Sequence, residues 1–534
     1  MKKLFLVLLA CMALTAASAR MVKCPDFGNG PMSFSVASVE LLDDATRLNA
    51  DIYGRPGNWV RADTNIYLKG KVTGARYNLK ALEGMEFGKK TVLGDSAYVS
   101  PVFVFEPVAA ADTVIDFVEP GGWLVSDIRL NGNTIGKKTT RISGSINGHP
   151  EASWLILIEG GADGRVNKSV LIPVRNGKFS YTVAGEPDRV YELCIGAERL
   201  NGSWHVVRIF ASDDEVTVDF PDDSDGDIRV SGGPASEAYT AYNERMDDYW
   251  QKNLYESAIG KRRAELTTSG EMYSAEAREA KAYSDKWNEL TAPQRDSIQA
   301  IINKLYDEDR VLSDEGKKVE AQYDSLLDLV HRRFFAAELA QPSALNLYTM
   351  FTLVNTGYPH ADEIMEIFED NYADTLTDNY YYRQIAMMHE AGAPAPGRKY
   401  TDFTAPDLDG NEVRISDVID GKVAVIDLWA SWCGPCRRHS KELIPLYEKY
   451  RDRGFTVVGV AREQNSADAM IAAIERDGYP WLNLIELNDV NRIWRKYHAG
   501  NGGGKIVLVD RDGTILAVNP TTEEIAATLA TLIK

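Results

Sequence analysis

The order of apolar and polar positions divides the chain into four stretches. In residues 20–135 the two kinds alternate, as in Thr64-Asn65-Ile66-Tyr67-Leu68-Lys69 and Tyr98-Val99-Ser100-Pro101-Val102-Phe103-Val104-Phe105, which predicts half-buried β-strands. Glycine and proline clusters punctuate these runs, and short strands so spaced suit an antiparallel, sandwich-like domain. Asn131-Gly132-Asn133 marks a break. A second, small β-rich domain is expected over 136–231. Its clearest hairpin is Val174-Arg175-Asn176-Gly177-Lys178-Phe179, because Asn-Gly supplies the positive φ angles of a tight primed turn. Gly232-Gly233-Pro234 opens a charged region over 232–392. There apolar residues recur at helical spacing, in Ile301-Ile302-x-x-Leu305-Tyr306 and Leu326-Leu327-x-x-Val330. The Tyr380-Tyr381-Tyr382 run is read as packing in a core or between domains rather than as a binding face.

Residues 393–398 read as a short linker stiffened by proline. From 399 to 534 strands and helices alternate. Strands are expected at 423–429, 455–460, 482–487, 506–509 and 515–518, and helices at 437–451, 467–476 and near 490–497. A last helix opens with the capping-box spacing Thr521-x-x-Glu524. The fold class is therefore multidomain: two N-terminal all-β, sandwich-like domains, a helical region, and a C-terminal α/β domain. Its sheet is expected to be largely parallel with an antiparallel edge.

The formal net charge of −19 argues against binding nucleic acid, which needs clustered Lys and Arg. Lys2 and Lys3, a largely apolar run to Ala16 and the A-x-A site Ala17-Ser18-Ala19 read as a signal peptide over 1–19. No later stretch reaches the roughly 18 consecutive apolar residues of a spanning helix. The expected location is periplasmic or otherwise extracytoplasmic, where disulfide chemistry is allowed. Leu8-Leu9-Ala10-Cys11 loosely resembles a lipoprotein-processing site, but Met12 to Ala17 stays apolar, so a lipid anchor is the lesser alternative.

Of the five cysteines, Cys11 lies in the leader, Cys24 and Cys194 are isolated, and Cys433 and Cys436 are three apart. This is no disulfide scaffold. Cys194, in the strand-like run Val190 to Ile195, reads as a small buried hydrophobe, and no Cys24–Cys194 bridge is expected. The acidic run Asp222 to Asp227 fails as a calcium loop: with Gly226 as the turn glycine, Pro221 and Gly232 would fall at ligand positions.

The chemistry lies in Asp427-Leu428-Trp429-Ala430-Ser431-Trp432-Cys433-Gly434-Pro435-Cys436. A buried strand runs into a turn and then a helix whose first turn carries both thiols. Free N–H groups and the positive dipole end favour Cys433 as thiolate, and Cys436 is near enough to resolve a mixed disulfide. Pro435 is tolerated where its missing N–H costs no helical bond. Arg437 and Arg438 add positive charge nearby, which counts for little where the side chains point at solvent. Asp427, a carboxyl in an apolar strand, is expected to have a raised pKa and to exchange protons near neutrality. His439 reads as an exposed helix histidine. A zinc site needs a second ligand pair, and none follows in sequence.

The W-C-G-P-C string resembles the active-site signature of thioredoxin, and the wider segment resembles the TlpA/ResA-like oxidoreductases, including the lead-in Phe403-Thr404-Ala405-Pro406-Asp407-Leu408-Asp409-Gly410. The likeness covers about the last quarter of the chain. The 136–231 segment resembles the small β-rich domain that often precedes extracytoplasmic thioredoxin modules. The resemblance implies a thioredoxin fold and a redox-active Cys433–Cys436 disulfide with no further cofactor. It gives Asp427 the role of proton acceptor for Cys436 and places Glu463 as an acidic residue lining the site. Trp432, Gly434 and Pro435, with Gly503, Gly504 and Lys505 opposite, would bind the substrate chain. One departure stands out: Gly504 occupies the place of the usual cis-proline, so a trans bond and a looser loop are expected there. The implied partners are disulfide-containing extracytoplasmic proteins and a membrane thiol reductase as electron donor. The implied activity is reduction of protein disulfides, with an oxidase or isomerase, or a surface docking protein, as alternatives. A peroxiredoxin would need a T-x-x-C context, which Ser431-Trp432-Cys433 does not supply.

Overall fold

The computed structural model describes residues 20–533 apart from 29, 32, 132–137, 147, 150–151, 162–168, 186–187, 202–205, 222–227, 288–289, 465 and 501–502. The signal peptide, Cys11, Gly132-Asn133, the acidic run 222–227 and Gly502 lie outside these residues.

The described residues form two compact units: one holds those up to Ser236, 355–357 and those from Ala386 onward, the other Glu237–Val354 and Tyr358–Ile385. The first unit opens with a nine-stranded antiparallel sheet built on Phe34–Leu41, Thr46–Tyr53 and Val102–Phe105. Alternate residues of these strands, among them Phe34, Leu48, Phe103 and Phe105, point into a core shared with Phe117. The next stretch forms two four-stranded sheets. The same core continues through Ile142, Leu155, Leu193 and Val216. The Asn-Gly turn forms, with Asn176 and Gly177 at φ 52° and 68° and Arg175 bridging Lys178. However, the strands on either side, Ser169–Pro173 and Lys178–Gly185, then enter different sheets, so the expected hairpin is a turn between layers. Cys194 is buried beside Trp154 and Leu171, and among the described residues neither it nor Cys24 forms a disulfide.

The second unit is helical. Ala258–Ser269 packs on Asp314–Leu339, with Arg263 donating to both oxygens of Glu320. Ile298 and Leu305 are buried while Ile301 and Tyr306 are exposed, so the apolar face is narrower than its sequence pattern. Tyr381 is fully buried against Tyr348 and Phe351, a core role.

After the short strand pair Thr404–Pro406 and Glu412–Arg414 and the helix Ile415–Ile419, the C-terminal part continues with β1 (Val423–Trp429), α1 (Gly434–Tyr450), β2 (Phe455–Glu463), α2 (Asp468–Asp477), β3 (Leu482–Leu487), the single turn α3 (Ile493–Lys496), β4 (Lys505–Val509), β5 (Ile515–Val518) and α4 (Thr522–Leu532). The sheet order is β3-β2-β1-β4-β5. Helical crossovers α1 and α2 make β1, β2 and β3 parallel. The connection from β3 passes through α3 to the other side of β1 and leaves β4 antiparallel to β1, and β4 pairs with β5 through a tight turn. The antiparallel strands thus make up half of the pairings and reach the middle of the sheet. All seven residues of β1 are buried. Ala424, Ile426 and Leu428 feed the core on one face, while Val423, Val425 and Trp429 feed the core on the other, with Leu443 of α1 and Ile525 of α4. Period-two alternation therefore puts Asp427 on the α1 face. The Thr521–Glu524 capping box forms as expected. Among the described residues, no helix is long and apolar enough to cross a membrane.

Candidate active site

β1 ends at Trp429 and α1 starts at Gly434, so the intervening turn delivers both cysteines to a helix N-terminus beside the centre of the sheet. Cys433 is the N-cap residue, and its sulfur accepts the Cys436 N–H at 3.3 Å. The two are joined as a disulfide with their Cα atoms 5.4 Å apart. Pro435 sits in the first helical turn. Cys433 is only 6% exposed, although the adjoining Gly434 and Pro435 are exposed. Arg437 does not lend its charge freely to the sulfurs, because its guanidinium is clamped on Asp477 at 2.6 and 2.9 Å.

A cavity of about 440 Å³ gathers Asp427, Leu428, Trp432, Cys433, Gly434, Pro435, Cys436, His439, Gly503, Gly504, Ile506, Asn519 and Pro520. Five of the residues expected to bind substrate, Trp432, Gly434, Pro435, Gly503 and Gly504, lie on this wall with the disulfide and Asp427. Asp427 is 1% exposed. Desolvation pushes its carboxyl up to about 7, against the opposing effect of a hydrogen bond from Ser440 Oγ at 2.6 Å. A group so poised can take or return a proton near neutral pH. His439 is half-buried on the cavity wall, not exposed, and its Nε2 lies 3.2 Å from the Pro520 carbonyl.

Two expected site residues lie elsewhere. Glu463, at the end of β2, accepts from the Ser431 backbone N–H at 2.6 Å and from Ser431 Oγ at 2.8 Å. It clamps the turn before Cys433 from behind, and burial raises its pKa. Lys505 is not among the cavity-lining residues; its ammonium donates to the His498 carbonyl at 2.7 Å, and burial pushes its pKa down to about 8. From across the cavity, the Gly504 N–H donates to Cys436 Sγ at 3.2 Å. The described residues contain no cis peptide bond.

Sequence reasoning did not single out Ser440, Asn519 or Pro520. Ser440 carried a readable signal, standing one helical turn beyond Cys436 on the face that meets β1. Asn519 and Pro520, beyond β5, carried none. Among the described residues, no group of three or more His, Cys, Asp or Glu stands ready to hold a metal ion.

Residues 396–518 match the AhpC/TSA family. A thiol:disulfide interchange protein DsbE from Allochromatium vinosum is 31% identical over 125 residues, 23% of this chain and 62% of that protein. The chain thus spans less than two thirds of that relative's length. The thiol-disulfide oxidoreductase ResA of Geobacillus kaustophilus is 37% identical over 141 residues, 26% of this chain and 74% of the relative. Among solved structures, the thioredoxin domain of a thiol-disulfide oxidoreductase from Bacteroides vulgatus is 28% identical and is covered in full by 27% of this chain, with a TM-score of 0.25. Through its C-terminal thioredoxin-fold domain, the chain belongs to the ResA/DsbE family of thiol-disulfide oxidoreductases.

Proposed function

We propose that the protein is an extracytoplasmic thiol–disulfide oxidoreductase that reduces protein disulfides through Cys433 and Cys436. The observation carrying this reading is the joining of the two sulfurs at the start of α1, in the same cavity as a buried carboxyl that titrates near 7. In the reductive direction the Cys433 thiolate attacks a substrate disulfide. One substrate sulfur leaves as thiolate and a mixed disulfide forms on Cys433. Asp427 takes the proton of Cys436, whose thiolate attacks Cys433 Sγ, releases the second substrate thiolate and closes the Cys433–Cys436 bond. The electron pair gained by the substrate comes from the dithiol, so an external thiol donor must restore it, and a membrane thiol reductase is the proposed donor. The leader-like first 19 residues and the kinship with ResA and DsbE proteins support a place outside the cytoplasm.

Insulin reduction with a Cys433→Ser control tests the activity: turnover should vanish in the variant, and turnover independent of Cys433 would refute the reading. The potential of the pair tests direction. A value near that of thioredoxin, about −270 mV, fits a reductant, whereas about −120 mV would make the protein an oxidase.

A further inference from the structure

We propose that the backbone amide of Gly504 is a catalytic hydrogen-bond donor to Cys436, stabilising the thiolate that forms on that sulfur when the Cys433–Cys436 bond opens. The inference rests on the redox reading above and adds a group to its machinery.

The Gly504 nitrogen is 3.2 Å from Cys436 Sγ. A Cβ on residue 504 would stand 1.9 Å from the Leu428 carbonyl oxygen and 3.0 Å from Cys436 Sγ. Any side chain would therefore push the amide away, and proline would in addition remove the N–H. What reads in sequence as a missing proline is, in the fold, a donor aimed at a reacting atom. When an incoming thiolate attacks Cys433, a new S–S bond forms there, the Cys433–Cys436 bond breaks, and the electron pair leaves on Cys436 Sγ. Charge develops on the sulfur that the Gly504 N–H already faces, and a donor positioned in advance favours it. In the reverse step, once Asp427 has taken the Cys436 proton, the same bond stabilises the thiolate until it attacks Cys433 and expels the substrate thiolate.

The other titratable groups facing Cys436 are Asp427 from β1 and His439 from α1. Arg437 is held by Asp477, and Lys505 by the His498 carbonyl. A test must therefore separate Cys436 from Asp427. Labelling the full chain with carbonyl-¹³C and amide-¹⁵N glycine selects amides preceded by glycine, namely those of Gly122, Gly161, Gly233, Gly503 and Gly504. In a reduced Cys433→Ser variant, the Gly504 amide proton should move downfield along a single curve as Cys436 ionises, and that movement should be lost in Cys433→Ser/Cys436→Ser. A Gly504 amide that stays still, or that titrates equally without Cys436, overturns the proposal. In the same background, Gly504→Ala should raise the Cys436 pKa by about one unit, a tenfold loss of thiolate, followed by thiolate absorbance; an unchanged pKa in a folded variant also overturns it. Insulin turnover by the unmodified chain reads the underlying activity separately, so either claim can fail while the other stands.

Discussion

Asp112 and Asp427 are carboxylates of nearly equal exposure, 2% and 1%, the first in a turn of the N-terminal β region and the second within β1 under α1. In the N-terminal β region, burial pushes Asp112 up, but hydrogen bonds more than offset it. Thr73 Oγ1 and Tyr77 Oη donate to one oxygen at 2.5 Å each, and the amides of Val72 and Thr73 donate to the other at 3.0 and 2.9 Å. Its pKa falls below the ordinary value. Asp427 has the Ser440 hydroxyl in that role, and burial wins. Burial alone therefore does not mark a functional carboxyl. The number of donors supplied to it decides whether it is a fixed anion holding a loop or a group able to exchange protons.

The largest expected effect comes from Asp427→Asn. Exchange at pH 7 should fall on the order of 100-fold, read by insulin reduction, because the proton acceptor for Cys436 is gone. Stability should move the other way. The folded pKa lies above the unfolded value of about 3.9, so the folded state holds the proton more tightly and stability drops as pH rises from about 4 through 7. Removing the carboxylate should therefore stabilise the protein at pH 8 by up to roughly 4 kcal/mol and do nothing at pH 4, as urea midpoints at the two pH values would show.

Asp112→Asn should give the opposite result. It should cost about 2 to 3 kcal/mol at pH 7, since donors that faced a carboxylate now meet an amide. Because the folded pKa is depressed, that loss should fade as pH falls below about 4, and insulin reduction should be unchanged. If Asp112→Asn slows exchange as much as Asp427→Asn, the comparison fails.

Glu463→Ala should come next, at about 1 to 2 kcal/mol, by stranding the Ser431 N–H, and Glu463→Gln should recover most of it. A drop in exchange restored by Gln would mark Glu463 as a residue that positions the cysteine turn. The smallest effect is expected from Ser440→Ala. Loss of its hydrogen bond should raise the Asp427 pKa further and move the pH–rate profile of exchange upward by less than about one unit. An unmoved profile would mean that Ser440 only fills space.

Much of the site was legible in sequence because it is local. Six positions separate Asp427 from Cys433, and strand alternation plus one turn suffice to place both. The capping box and the Asn-Gly turn are equally short-range, and both form. The legibility ended where partners are distant. Arg437 read as nearby charge that solvent would weaken, but what holds it is Asp477, 40 residues on. Glu463 read as lining the site, yet it grips Ser431 from behind. The strands around Asn176-Gly177 read as one ladder and belong to two.

A near-continuous apolar run broken by one carboxyl, and a cysteine pair at a helix start, determined without any partner that there would be a buried strand, a redox turn and a carboxyl inside the strand. Only the tertiary structure decided that Gly504, 68 residues from Cys436, would turn its amide toward that sulfur. Periodicity records what each residue does to its own segment. Which donor meets which acceptor across a sheet depends on how separate segments pack, and a glycine gives no sign in sequence of how close its backbone will come.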